Sequence, residues 1–226
     1  PLTVTVIIPA LNEGDNIADL VAAVKAQPVD QIVVVDNGSE DETGARAEAA
    51  GALVVQEPRR GYGYACAAGV AVARGDILLF LDGDFSFLPA EIPRLLGPLQ
   101  AGAAELVLGS RVLGHIAPGA MPPHQRFGNR LTAGLMGLLY GVRVTDLGPY
   151  RAVRQELLES LDMAEMTFGW PTEMMVKAAR QGARIQEVPV SYVARRTGQS
   201  KVSGTLRGSL LAGWHILSVT LRYARR

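Results

Sequence analysis

The apolar positions of the first half of the chain come in short unbroken runs, and the stretches between them carry helical spacing. "LTVTVIIP" (2–9), "QIVVVD" (31–36), "ALVVQ" (52–56), "DILLFLD" (76–82) and "ELVLGSR" (105–111) are β-branched or leucine-rich runs of strand length. Segment 12–27 puts Ile17, Leu20, Val21 and Val24 on one helical face, and "EDETGARAEAA" (40–50) reads as a second helix. "GYGYACAAGVAVARG" (61–75) opens on glycine and continues as a helix, and another helix begins near Pro89. Unbroken apolar strands alternating with helices predict an α/β fold, a mostly parallel sheet with helices on both faces. Ligands of such sheets bind beyond the carboxyl ends of the strands. Pro9, Asp36, Asp82, Asp84 and Ser110–Arg111 all fall there.

The second half reads differently. Segments 122–141 and 170–183 look helical, and "RIQEVPVSYVARR" (184–196) reads as a long strand or strand pair. The last segment is an amphipathic basic helix, with Leu206, Leu210, Trp214, Leu217 and Leu221 on one face and arginines at both ends. Two readings stay open for it: packing on the domain's own core, or lying in a headgroup layer. With no repeat and no low-complexity linker, residues 1–226 read as a single domain, with 203–226 as its helical appendage.

Composition changes this picture little and charge changes it more. A chain of 226 residues with 48% hydrophobic and 19% charged residues holds a sizeable core and is not disordered. The single cysteine, Cys66, cannot form an internal disulfide and reads as a small buried residue. Zero formal net charge gives no support for nucleic-acid binding. From Val188 onward, however, there are seven Arg or Lys and no Asp or Glu, which leaves 15 basic against 22 acidic residues before it. A basic end on an acidic body suits an anionic partner. The opening "PLTVTVIIPALNE" lacks the basic region and cleavage site of a signal peptide. No apolar run reaches the roughly 20 residues that span a bilayer. The expectation is a cytoplasmic protein that can touch the inner face of the plasma membrane peripherally.

The densest chemical signal is "DILLFLDGDFSF" (76–87), where an apolar strand ends in two carboxylates, Asp82 and Asp84, with Ser86 beyond. Asp-Gly is an ordinary turn pair. Hard oxygen ligands at a strand end also suit Mg²⁺ or Mn²⁺, which are held by few carboxylates plus substrate phosphates. Glu13 and Asp36 stand at the ends of the first two strands, where a carboxylate can accept from a base edge or ribose hydroxyls. Asp36 equally suits a helix cap. Asp146 in "TDLGPYR" is the candidate general base or a turn cap. Glu173 in "GWPTEM" is an acceptor-side or Arg-orienting carboxylate, or a first-turn helix residue. Arg60, Gly61 and Gly63 form a turn whose backbone could approach phosphate or ribose. His115 and His124 flank a Gly/Pro-rich stretch that reads as a mobile loop over the site.

Taken together, "IIPALNE", "VVVDNGSEDET", "GYGYA", "FLDGDFSFLP", "LGSR", "TDLGPYRAV", "GWPTEM" and "VPVSYVARRTGQSKVSG" resemble, in order and spacing over residues 3 to 205, the family-2 glycosyltransferases of GT-A fold. The nearest branch resembles the dolichyl- and polyprenyl-phosphate mannosyl- and glucosyltransferases. The resemblance implies that Pro9, Ala10, Glu13 and Asp36 line a nucleotide pocket. It implies that Asp82 and Asp84 are the DxD metal site for Mg²⁺ or Mn²⁺, with Ser86, standing where that branch often has Gln, as the third candidate ligand. It also implies that Arg111, Arg126, Arg196, Ser200 and Lys201 meet phosphates of donor or acceptor, and that Asp146 lies near the acceptor. The expected function is an inverting transfer of a hexose from a GDP- or UDP-sugar to a polyprenyl phosphate. The alternatives are transfer to a saccharide or soluble hydroxyl acceptor, a sugar-phosphate nucleotidyltransferase, and a nucleotide-sugar-binding protein without turnover. Oligomeric state stays open.

Overall fold

The computed structural model describes residues 1–196 and 206–223, with side chains from 214 onward in the final helix. Seven strands form one sheet: β1 (Val4–Ala10), β2 (Gln31–Asp36), β3 (Leu53–Gln56), β4 (Ile77–Phe80), β5 (Leu106–Ile116), β6 (Arg151–Arg154) and β7 (Ile185–Tyr192). Their order across the sheet is β3-β2-β1-β4-β6-β5-β7. β6 is antiparallel to both β4 and β5, while the other neighbours run parallel. The helices are α1 (Gly14–Lys25), α2 (Thr43–Ala49), α3 (Tyr62–Val72), α4 (Ile92–Gln100), α5 (Pro123–Tyr140), α6 (Gln155–Ser160), α7 (Trp170–Arg180) and α8 (Leu206–Arg222).

The period of two along the strands sorts the core into two layers. On one face Val4, Val6 and Ile8 of β1 pack with Ile17, Leu20 and Val24 of α1 and with Leu95 and Leu99 of α4. On the other, Ile7, Val33 and Val35 pack on Cys66 of α3, while Leu106 and Leu108 meet Met174 and Met175 of α7. This is the double-sided burial that the unbroken apolar runs predict, and it points the strand ends β1, β2 and β4 toward one edge of the sheet.

Three features depart from the sequence reading. β6 and α6 occupy "RAVR" and "QELLES" (151–160), too short for a periodic signal, and β6 slots between β4 and β5. β5 runs on to Ile116 through an irregularity between Ser110 and His115. His115 therefore sits on a strand opposite Ser191, and the expected mobile loop shrinks to the short connection before α5. Among the described side chains of α8 the buried positions are Val219 and Thr220, while Trp214 and Leu221 point outward. The described stretch from 214 onward thus packs on the molecule through Val219 and Thr220 rather than through Trp214 and Leu221. Among the described residues no helix is long and apolar enough to cross a membrane.

Candidate active site

The carboxylates at the end of β4 lie on one tight turn whose shape follows from its small residues. Gly83 packs against Pro9, Ala10 and Glu13, which brings the turn onto the end of β1. Phe85 takes a left-handed conformation, φ 62°, rare for a bulky residue and often found at functional sites. Asp84 is buried, and its Oδ1 accepts from the Ser86 amide (2.9 Å) and the Ser86 hydroxyl (2.6 Å). Ser86 thus fixes the orientation of Asp84. Asp82 accepts weakly from the Tyr62 hydroxyl at 3.3 Å. Burial, together with the charge of Asp84, pushes the Asp82 carboxyl up to about 7.

A basic side chain from the far end of the chain closes this turn. The amide of Val193 donates to the Ser86 carbonyl (2.9 Å), and Phe87 bridges to Tyr192, so the segment leaving β7 runs beside the acidic turn. Arg195 there places Nη2 2.6 Å from Asp84 Oδ2 and Nη1 3.6 Å from Glu13 Oε1. Arg196 stacks its guanidinium 3.9 Å from the centre of the Phe85 ring and reaches Asp19 at 3.4 Å. Ser200 and Lys201 lie outside the described residues.

A second ion pair stands at β5. Arg111 grips Asp146 in bidentate fashion, Nε to Oδ2 and Nη2 to Oδ1, both 2.7 Å, and its amide donates to Oδ2 as well. Burial raises the Asp146 pKa, but the hydrogen bonds and charge of Arg111 outweigh it and hold the carboxyl below its usual range. The loop carrying Asp146 is fixed from two sides. Glu187 accepts from the amides of Thr145 and Asp146, and Asn129 of α5 accepts from Leu147 and donates to the Thr145 carbonyl. Arg126 is exposed on α5 and lines a groove of about 640 Å³ together with Val112, Ile116, Arg130, Arg143 and Thr145.

At the other lip, Pro9 and Ala10 end β1, and Glu13 is held by the Asn16 side chain at 3.0 Å. Asp36 Oδ1 accepts from the Ser39 amide at 2.8 Å, closing the turn after β2 rather than capping α2, which begins only at Thr43, and its Oδ2 faces Gln56 at 3.4 Å. Asn37 donates to the Glu57 and Arg59 carbonyls and accepts from the Gly61 amide, fastening the 57–61 loop to β2. Arg60 is exposed, with Glu40 3.8 Å away. Gly61 and Gly63 approach protein rather than ligand: a Cβ on either would lie 2.5 Å or less from a carbonyl of Met166 or Glu165. Glu173 belongs to this support. Its oxygens accept from the Ala164 and Glu165 amides, the Tyr223 hydroxyl and Lys177, so it joins α7, α8 and the 164–165 turn.

The structure thus brings Glu13, Asp82, Asp84, Ser86 and Arg195 into one cluster, with Arg111–Asp146 close enough to stabilise the Asp82 charge. Arg195, Tyr62, Asn129 and Glu187 escaped the sequence reading. Arg195 was visible only as one of seven basic residues, since its carboxylate partner is 111 positions away. The donor set fits a divalent cation. Two hard carboxylates repel each other on one turn, and among the described residues no third His, Cys, Asp or Glu completes a protein-only cage. That pattern suits an ion that shares its shell with substrate phosphates.

Comparisons with known proteins bear on the family and the fold. Residues 5–162 match the profile described as Glycosyl transferase family 2. The chain is 38% identical to an uncharacterized glycosyltransferase of Mycobacterium tuberculosis over 95% of this chain and 98% of that one. It is 35% identical to the polyprenol monophosphomannose synthase of Mycolicibacterium smegmatis over 88% and 81% of the two chains. Its fold is similar to that of glucosyl-3-phosphoglycerate synthase from Mycobacterium tuberculosis, solved with Mn²⁺, uridine diphosphate and phosphoglyceric acid. The TM-score is 0.81 at 26% identity, over 99% of this chain and 78% of that one.

Proposed function

The chain belongs to glycosyl transferase family 2, and from that premise we propose that it transfers a hexose, with inversion, from a GDP- or UDP-sugar to a polyprenyl phosphate. In this reading residues 1–226 act as one catalytic domain that meets its lipid acceptor as a peripheral membrane enzyme. The observation that carries the reading is the engagement of Asp146. A hydroxyl acceptor must lose a proton as it attacks, and needs a carboxylate base within reach. Asp146 is taken up by Arg111 and held in its ionised, weakly basic form. A lipid phosphate is already ionised near neutral pH and needs a cation to position it, which Arg111 and Arg126 supply. The named polyprenol and undecaprenyl-phosphate mannosyltransferase relatives, at 35% and 31% identity, support the same acceptor class.

Asp82 and Asp84 would hold Mg²⁺ or Mn²⁺, which when bound stabilises negative charge on the departing diphosphate. The chain's own residues do the rest. Ser86 keeps Asp84 oriented, and Glu13 and Asp36 accept from the nucleoside side of the donor. Arg195, at the rim of the acidic turn, adds positive charge where the diphosphate lies. An acceptor phosphate oxygen forms the bond to the anomeric carbon as the bond to the diphosphate breaks on the opposite side. No proton moves, and the configuration inverts.

A second reading, transfer to a small phosphorylated acceptor, draws on the likeness to the synthase crystallised with phosphoglyceric acid. The test is mass spectrometry of products from a short-chain polyprenyl phosphate, a panel of GDP- and UDP-sugars and either metal, with Asp84→Ala as control. A glycosyl polyprenyl phosphate from one donor, absent in the control, is the expected result. Donor breakdown with no lipid product would overturn the acceptor assignment while leaving the transferase.

A further inference from the structure

Eight of the nine large hydrophobic side chains that stand exposed among the described residues lie on three adjacent elements. Val112 and Leu113 are on the outer end of β5, Phe127, Leu131, Leu138 and Leu139 on α5, and Trp214 and Leu221 on α8. Phe127, Leu131 and Leu138 follow one another at helical spacing along the outer face of α5, and Leu138 is 80% exposed, Phe127 71% and Trp214 69%. The elements adjoin: the Tyr140 hydroxyl at the end of α5 donates to the Thr220 carbonyl of α8, and the β5 end shares the groove with α5. Soluble monomers rarely expose contiguous apolar area on this scale.

The charge on the same elements names the occupant. From Arg111 to Thr145 the sequence contains four arginines and no Asp or Glu, and α8 carries Arg207 and Arg222 and again no acid. Arg126, Arg130 and Arg143 line the groove beside the apolar strip, and Arg222 is exposed near Leu221. A second copy of the chain would bring this one-signed face against itself, which like charges oppose. An anionic bilayer meets both demands, headgroups for the arginines and the acyl boundary for the aromatic and leucine side chains.

We propose that the β5 end, α5 and α8 form a docking face for an anionic lipid bilayer, with α5 as the principal inserting element and α8 beside it. This goes beyond the basic C-terminal helix as a contact, because four of the eight exposed side chains are on α5. The surface does not depend on which acceptor the enzyme uses.

The test is flotation of the full chain with vesicles of phosphatidylcholine alone and of phosphatidylcholine mixed with phosphatidylglycerol. The expected result is binding to the anionic vesicles that weakens with salt. Phe127→Ser with Leu138→Ser should cut partitioning about tenfold or more, and Arg130→Gln with Arg143→Gln by about tenfold. All four positions are exposed, so melting temperatures should stay at the wild-type value. Donor turnover with a water-soluble short-chain acceptor should also survive in Phe127→Ser with Leu138→Ser, which separates failure of this face from failure of the polyprenyl phosphate reading. Anionic vesicles that leave the wild type in the soluble fraction would overturn the proposal. So would wild-type binding that the α5 variants retain, or a wild type that instead self-associates through these side chains.

Discussion

At the scale of single residues, the site works by pairing charges that the fold has placed too close to leave alone. The Asp82 carboxyl, near 4 in an unfolded chain, rises to about 7 in the fold, chiefly through burial and then through Asp84. The folded state therefore binds more protons than the unfolded state between these values, and without metal its stability falls as pH climbs from about 4 to about 7. Thermal melts in chelator should show that decline, and Asp82→Asn should flatten it. Asp146 makes a sharper case. If it acts only by aiming Arg111, Asp146→Ala and Arg111→Ala lower the transfer rate non-additively, and the double variant is about as slow as either single one. Multiplying losses would instead mark an independent base. Asp146→Ala should also cost about 3–5 kcal/mol of stability, because it strands a largely buried guanidinium. Much of this was legible in the chain, since Asp82, Asp84 and Arg111 sit at strand ends and Asp146 in the turn-like "TDLGPYR". Arg195 was not, because the contact that gives it a role comes from tertiary pairing of Val193 with Ser86.

At the scale of elements, apolar runs betrayed β1, β2, β4 and the first half of β5 because strands buried on both faces need no polar alternation, while the half-exposed edge strand β3 was legible only as a short β-branched run. β6 has four residues and begins with Arg151, whose side chain is buried against the carbonyls of Gly148 and Pro171, so its sequence carries no strand pattern. The glycines of α3 show the limit of reading chemistry from composition. Gly61 and Gly63 resemble a phosphate-approaching turn, yet the neighbour they admit is the 165–166 backbone, which Glu173 and α8 hold in place. Gly63→Ala would put a Cβ 2.4 Å from the Glu165 carbonyl. It should lower stability by about 1–3 kcal/mol, measured by denaturant melts. A melt at the wild-type midpoint would show that the 164–166 turn yields freely.

At the scale of the whole molecule, an acidic body carries a basic, apolar face made by α5, α8 and the end of β5, and the groove lined by Arg126 opens on it. The sequence announced the basic C-terminal end, while the share of α5 emerged only when its outward strip could be told from its buried one. Under the proposed function, the face and the acidic turn would let the enzyme draw a polar donor from water and an anionic acceptor from lipid. The most direct measurement is a competition: labelled nucleotide sugar, Mn²⁺ and the full chain with polyprenyl phosphate in mixed vesicles and 3-phosphoglycerate in the same tube, followed by phase partition of the label. The expected result is label in the organic phase, as an acid-labile glycosyl phosphate that disappears with Asp84→Ala. Label confined to the aqueous phase as glycosyl phosphoglycerate would contradict it.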